Sequence, residues 1–143
     1  MKKILLTALA LSLLVPAAAD RYEDYVRATL NEVGAYYANS YMRLGNLDST
    51  GMLAAGRFTT YRLTLVAGRT YRIAGVCDQE CDDIDLELRD ENNNLIAADQ
   101  TNDYLAYVDV TPKWTGEFTL KITMDHCLGN PGCVYGTTIL RRR

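Results

Sequence analysis

Apolar residues follow two different periods along this chain, and the change falls near residue 50. From Asp20 to Leu44, apolar and tyrosine side chains recur at steps of three and four, as they do along one face of a helix. Asp20 is followed three residues later by a glutamate, which is typical of a helix start, and Gly45 begins a typical stop signal. The pattern therefore predicts an amphipathic helix over residues 20–45. We expect it to kink or break at Gly34, because glycine weakens a helix interior.

From Gly56 onward the period is two. Ile84, Leu86 and Leu88 alternate with acidic residues, and similar short runs follow one another with turn residues between them. Such alternation is typical of strands with one face buried and one in water. Seven runs of this kind predict an antiparallel β-sandwich; they cover residues 58–65, 71–77, 83–88, 95–98, 104–110, 118–124 and 133–140.

Aromatic residues mark two candidate contact surfaces. Five of the ten tyrosines lie in the predicted helix: Tyr22, Tyr25, Tyr36, Tyr37 and Tyr41. This stripe either packs over the sandwich or binds a partner, which includes a second copy of the chain, since tyrosine suits both roles. Trp114 lies in a turn, where it either covers one end of the sandwich or contacts a glycan or protein.

The first residues have the features of a bacterial signal peptide. Lys2 and Lys3 precede an apolar run, and small residues close the segment at Ala19. The apolar run is shorter than the roughly 20 residues that a membrane span needs, and no later run is long enough. We expect residues 1–19 to be removed after Ala19, which places the mature protein in the periplasm or outside the cell.

Four cysteines in an exported chain predict two disulfides. We favour the pairs Cys77–Cys81 and Cys127–Cys133, since each encloses a short polar turn. Loop-entropy reasoning gives rings this small only about 2 kcal/mol each, so they would fix loops more than they hold the domain together. A zinc site is the alternative, but the spacing of these cysteines suits it poorly.

The strand region resembles the bacterial pre-peptidase C-terminal domain family, and the resemblance covers residues 56–140. It is carried by Tyr61–Gly68, by Tyr71-Arg72-Ile73, by the Asp83–Leu88 strand and by Thr115–Leu120. The family pattern has a strand, an Ala-Gly turn, a strand, an Asp-x-Asp-Leu strand and a Thr-Gly-aromatic strand in this order. The resemblance implies a jelly-roll-like β-sandwich. The family is typically appended to peptidases, and none precedes the sandwich in this sequence.

The acidic residues from 78 to 103 have two interpretations. Those on the 83–88 strand can form its solvent face while the others solvate loops. Alternatively, carboxylates converge on one rim of the sandwich and bind calcium, which takes six to eight oxygen ligands. We expect that the protein requires no cofactor, and calcium is the one ion that the acidic residues suggest. The candidate calcium ligands are Asp82, Asp83, Asp85, Asp90, Asp99 and Asp103.

Charge argues against nucleic acid as a partner. Without residues 1–19 the chain has 13 basic and 18 acidic residues, a net charge of −5, whereas phosphate binding needs clustered basic residues. The one basic cluster, residues 141–143, is expected to be a frayed, solvated tail; a contact with anionic lipid or lipopolysaccharide is the alternative.

No catalytic motif stands out, so we expect a non-catalytic binding or accessory protein of the cell envelope or the extracellular space. Its partner would be an envelope protein or a glycan. His126, the one histidine, has no evident nucleophile to serve, because the only serines after residue 19 are Ser40 and Ser49. Two alternatives stay open: a small hydrolase that uses paired carboxylates, and an assembly subunit that is joined through the tyrosine-rich helix.

Overall fold

The computed structural model of the chain describes residues 18–143, so the predicted signal peptide lies outside the described residues except for its last two. The described part contains one long α-helix, α1 (Ala18–Tyr36), a short 3-10 helix (Gly45–Leu47) and nine strands. The strands are β1 (Tyr41–Arg43), β2 (Ser49–Leu53), β3 (Arg57–Leu65), β4 (Tyr71–Cys77), β5 (Cys81–Arg89), β6 (Leu95–Asp99), β7 (Leu105–Val110), β8 (Gly116–Cys127) and β9 (Cys133–Arg142).

The strands form two antiparallel sheets that pack face to face. The first sheet has the order β1-β9-β4-β7, with β2 pairing along β9 as well, and the second has the order β3-β8-β5-β6. The predicted jelly-roll-like β-sandwich is confirmed. The seven runs of alternating residues correspond to β3 through β9.

The alternation in β5 shows how the sequence builds the core. Ile84, Leu86 and Leu88 are fully buried between the sheets, while the intervening acidic residues lie on the outer face. Ile73 and Ile139 of the first sheet belong to the same buried cluster. Burying a side chain of this size contributes about 1.5 to 3 kcal/mol, which makes these rows the main source of stability.

Helix α1 covers the outer face of the first sheet. Its buried residues Val26, Leu30 and Val33 follow the predicted steps of four and three. They pack against side chains of β4 and β9, including Val76 and Val134. Because the helix covers them, both faces of β4 and β9 are buried, and the apolar stripe of the helix is part of the core.

The predicted end of the helix was wrong. Helix α1 ends at Tyr36, and after a turn the segment Tyr41–Arg43 forms β1 and pairs with β9. Tyr37 and Tyr41 fit a helical period, but the exposed edge of β9 offers this segment a row of backbone hydrogen-bonding groups. Pairing with that edge overrides the local pattern.

Within residues 18–143, no helix has the length and apolar character that a membrane span requires.

Helix α1 continues through Gly34 to Tyr36, and Gly34 makes room for the side chain of Arg43. A β carbon on Gly34 would lie 3.1 Å from Cδ of Arg43, whose side chain crosses the helix at this point. The Arg43 guanidinium donates hydrogen bonds to Asn31 Oδ1 (2.6 Å), to Asp48 Oδ2 (3.0 Å) and to Thr138 Oγ1 (3.0 Å). One side chain thus ties the helix, the loop before β2 and β9 together.

The basic C-terminus is ordered rather than frayed, so that part of the expectation was wrong, although Arg142 and Arg143 are exposed as expected. Arg141 and Arg142 belong to β9, and Arg142 N donates to the carbonyl of Thr70 over 2.9 Å. Arg143 N donates to the carbonyl of Ser40 over 3.0 Å. The pairing that creates β1 also orders these residues, since the two segments lie side by side.

Candidate functional site

Tyrosine side chains from two distant parts of the sequence line a groove between α1 and β7. Tyr36 ends the helix and Tyr37 follows it, while Tyr104 and Tyr107 come from β7 and the loop before it. The groove has a volume of about 440 Å³. Its lining residues are Thr29, Glu32, Val33, Tyr36, Tyr37, Tyr104, Leu105 and Tyr107.

The groove has a fixed floor and exposed walls. The rings of Tyr37 and Tyr107 meet edge to face with their centres 6.1 Å apart. Burial, and then the neighbouring Tyr37, raise the pKa of Tyr107 to about 12, so this hydroxyl stays neutral at physiological pH. By contrast, Tyr36 is 80% exposed and Tyr104 is 47% exposed. The exposed rings are therefore available to a partner, while the floor belongs to the fold.

Arg72 of β4 holds the floor in place. Its guanidinium lies 4.7 Å from the ring centre of Tyr37, 5.8 Å from that of Tyr41 and 5.7 Å from that of Tyr107. Distances below about 6 Å allow a cation–π attraction. Two hydrogen bonds to Asp109, of 2.7 and 2.6 Å, fix the guanidinium and raise its pKa, so the charge is permanent.

The five tyrosines proposed as one contact surface therefore have different roles: four pack against the fold and one is exposed. Tyr22 and Tyr25 pack against the buried cluster under the helix, and Tyr37 and Tyr41 pack around Arg72. Of the five tyrosines in the segment predicted to be helical, Tyr36 alone is mostly exposed. Sequence reasoning missed Tyr104 and Tyr107 as partners of the helix, although their place in a predicted strand was a signal that they could lie on its outer face.

Trp114 lies at the other end of the sandwich. Its ring stacks on Phe118 with centres 5.6 Å apart, and its Nε1 donates to Glu91 over 3.1 Å. The side chain is 37% exposed. It has the half-buried position of a residue that covers the end of the core, and it lies apart from the tyrosine groove.

A second cluster, the acidic bulge, lies where β5 and β8 pair irregularly. Asp83 is opposite His126, whereas Ile84 is opposite Met124, so Asp125 is an extra residue in β8. The bulge brings Asp125 close to Asp83. Burial, and then the charge of Asp125, raise the pKa of Asp83, and Oδ1 of Asp83 is buried without a hydrogen-bond partner among the described residues.

Asp85 and Asp82 extend the acidic bulge. Burial, and then the charge of Asp83, raise the pKa of Asp85 to about 6. Asp82 is exposed and hydrogen-bonds to Nδ1 of His126. Neither Asp125 nor the contact between Asp82 and His126 was expected, because both depend on the register of two strands that are far apart in sequence.

The other three residues proposed as calcium ligands are engaged in hydrogen bonds with the backbone. Asp90 closes the turn after β5 by accepting hydrogen bonds from Asn92 N (2.9 Å) and Asn94 N (2.8 Å). Asp103 contributes its backbone carbonyl to the N–H of Ile84 over 3.0 Å.

Asp99 has a structural task too. It accepts hydrogen bonds from Thr101 N (3.1 Å) and from Tyr107 N (2.8 Å), and the latter occupies a donor on the edge strand β7. Burial alone would raise the pKa of Asp99, but a hydrogen bond from Thr101 Oγ1 (2.6 Å) and the two backbone hydrogen bonds together lower it. Within residues 18–143 no three acidic, histidine or cysteine side chains are placed to hold a metal ion.

Two disulfides join the cysteines in the favoured pairs, Cys77 with Cys81 and Cys127 with Cys133. Asp78, between them in space, is 2% exposed and accepts hydrogen bonds from Glu80 N (2.9 Å) and Val134 N (2.6 Å). It therefore links the two disulfide loops, although the sequence suggested an acidic rim residue.

Comparison of the fold with solved structures gives a clear likeness. The chain aligns with the pre-peptidase C-terminal domain of a Bacillus anthracis collagenase with a TM-score of 0.50 and 16% identity. The alignment covers 64% of this chain and 86% of that domain. In fold, this chain resembles a pre-peptidase C-terminal domain. The resemblance inferred from the strand motifs is therefore confirmed as a likeness of fold.

Two other solved structures align less closely with this pre-peptidase-domain-like sandwich. A periplasmic inhibitor of g-type lysozyme from Aeromonas hydrophila aligns with a TM-score of 0.48 and 11% identity, over 67% of this chain and 84% of that one. A Clostridium thermocellum xylanase, comprising CBM22-1 and GH10 modules with bound xylohexaose, aligns with a TM-score of 0.34 and 14% identity, over 73% and 26%. No protein-family model and no curated protein sequence matches this chain.

Proposed function

We propose that this protein is a non-catalytic binding or accessory protein that acts in the cell envelope or outside the cell. The observation that carries the proposal is the tyrosine groove, where exposed aromatic rings stand on a floor fixed by Arg72. Tyrosine is enriched in binding surfaces because its ring buries a large area while its hydroxyl keeps a hydrogen bond. A rigid sandwich that presents such a groove suits binding rather than turnover.

Two observations support export. Both cysteine pairs form disulfides, and disulfides persist in oxidising compartments such as the periplasm. The first residues have the pattern of a signal peptide, with removal expected after Ala19. An exported binding protein of this kind would meet envelope proteins and glycans, which are the partner classes we propose.

A small hydrolase is the second candidate, and the acidic bulge favours it. Asp85, with a pKa of about 6, could hold a proton near neutral pH while a neighbouring carboxylate stays charged. Against this, the orphaned oxygen of Asp83 is buried, which limits access by a substrate. The bulge is therefore the weaker candidate site.

The third candidate, an assembly subunit joined through the helix, has less support. The apolar stripe Val26, Leu30 and Val33 is already buried against the first sheet, so little of it is left for a second copy. Tyr36 remains exposed and would have to carry such a contact with Tyr104. Self-association through these two residues would appear as a concentration-dependent dimer that Tyr36→Ala removes.

Co-sedimentation of the purified protein with envelope fractions tests the proposed function. A binding protein gives saturable, competable co-sedimentation and leaves the envelope material chemically unchanged. A hydrolase releases soluble fragments in proportion to time, and Asp83→Asn or Asp85→Asn reduces the release. The second result would replace the binding proposal with the hydrolase.

A further inference from the structure

The lining of the tyrosine groove carries negative charge and no positive charge. Glu32 is the one charged residue in its lining, and it is exposed on the helix. Among the ion pairs formed within residues 18–143, none includes Glu32, and no lysine or arginine lines the groove. The groove thus combines aromatic faces with an unneutralised carboxylate.

A contact within the chain itself shows which group can be bound by aromatic rings together with a carboxylate. Directly behind the groove, the Arg72 guanidinium packs within 6 Å of three tyrosine rings and forms two hydrogen bonds with Asp109. Aromatic faces attract the cation, and a carboxylate pairs with its planar fork. Tyr36, Tyr104 and Glu32 offer the same kinds of group to a cation from outside.

We propose that this groove binds an arginine side chain from a basic protein partner. The guanidinium packs against the exposed rings of Tyr36 and Tyr104, and Glu32 neutralises its charge. Arginine fits better than lysine, because its guanidinium is planar, stacks on rings and pairs with a carboxylate through two hydrogen bonds. The inference rests on the proposed binding function and gives it a partner class.

Net charge favours the same partner. The whole chain carries a net charge of −3, and residues 20–143 carry −5, from 13 basic and 18 acidic residues. A basic protein is drawn to such a chain by long-range attraction, which raises the rate of encounter at low ionic strength. Tyrosine and arginine are also the residues that most often dominate the energy of an interface.

Isothermal titration with three capped peptides tests the inference. The probes are Gly-Ser-Arg-Gly-Ser, its lysine counterpart and its citrulline counterpart, which keeps the shape of arginine without the charge. A single side chain gives weak binding, so the peptides are used at millimolar concentration and tandem copies raise the signal by avidity. We expect the arginine peptide to bind about 3-fold to 10-fold more tightly than the citrulline peptide, as expected for one cation–π and ion-pair contact.

Variants locate the binding. Glu32→Gln, Tyr36→Ala and Tyr104→Ala should each weaken arginine binding about 3-fold to 10-fold. All three side chains are exposed, so the melting temperature should be unchanged. Matched controls on the outer face of the second sheet, Glu117→Gln and Phe58→Ala, should bind like the unaltered protein.

Three results would overturn the inference: equal binding of arginine and citrulline peptides, no measurable peptide binding, or binding that Glu32→Gln leaves intact. A neutral glycan or a second copy that binds independently of Glu32 would do the same. The proposed function is judged separately. If the protein co-sediments saturably with envelope material and the groove variants do so equally well, the groove inference fails while the binding function stands.

Discussion

Gly136 of β9 lies directly beneath Val26 of α1. A β carbon on Gly136 would stand 2.6 Å from Cγ1 of Val26 and 2.9 Å from Cδ1 of Leu30. Real β carbons do not approach other carbons so closely, so the helix sits on the sheet at a distance that only glycine allows. This contact connects the stability of the fold to the groove, because α1 forms one wall of it.

Replacing Gly136 with alanine should push the helix away from the sheet. Overpacking of this kind costs about 1 to 3 kcal/mol, which thermal or denaturant unfolding would measure as a lower midpoint. Gly45→Ala is the matched control, because no heavy atom lies within 4 Å of its added carbon. Equal midpoints for the two variants would mean that the helix does not rest on Gly136.

Variants at Leu30 and Tyr36 distinguish the two roles of the helix, which are packing against the sheet and forming a wall of the groove. Leu30 is 1% exposed, so Leu30→Ala should lower the free energy of unfolding by about 2 to 5 kcal/mol. Tyr36 is 80% exposed, and Tyr36→Ala should leave stability within about 0.5 kcal/mol of the unaltered protein. Urea unfolding of both variants gives the comparison. A small effect of Leu30→Ala would show that the sandwich does not need the helix.

Asp85 should make stability depend on pH. Its pKa is raised to about 6 in the folded state, mainly by burial and then by Asp83, with Asp125, Asp99 and Glu87 adding to the effect. A raised carboxyl pKa means that the folded state binds the proton more tightly than the unfolded state. This stabilisation is complete below the ordinary pKa near 4 and is lost as the pH rises through about 6.

Asp85→Asn should therefore stabilise the protein at pH 7.5 by about 1 to 2 kcal/mol and flatten the fall in stability between about pH 4 and 6. Melting curves across that range measure both effects. Asp24→Asn, on an exposed helix position, is the control and should leave the profile unchanged. A variant that is less stable than the parent at pH 7.5 would show that the Asp85 charge is favourable.

Calcium should not stabilise the protein. Asp90 and Asp99 already accept backbone hydrogen bonds. Calcium needs six to eight oxygens around one point, which this arrangement does not supply. Melting in millimolar calcium should match melting in chelator. A rise in the midpoint with calcium, lost in Asp83→Asn, would restore the calcium site.

The strands were predictable because their signal is local. The alternation of Ile84, Leu86 and Leu88 with acidic residues sets the buried face of β5 without reference to any other segment. The cysteine pairs were also predictable, since each closes a short turn. The end of the helix was not, because Tyr41 fits a helical period and only the edge of β9 makes it a strand residue.

The groove and the acidic bulge depend on contacts between distant segments, and this is why sequence reasoning found only half of each. Tyr36 was proposed as an interface residue, but its neighbours Tyr104 and Tyr107 come from a distant part of the sequence. Asp83 was singled out, but Asp125 reaches it only through a one-residue bulge in β8. Neither register nor bulge position can be read from residue spacing alone.

The most direct test of the proposed function is an equilibrium isotherm for the radiolabelled protein on isolated cell-envelope fractions, with unlabelled protein as competitor. We predict that binding saturates, that excess unlabelled protein displaces the label, and that the envelope material stays intact. Binding that rises linearly without competition, or steady release of soluble fragments that Asp83→Asn abolishes, would contradict the account of a non-catalytic binding protein.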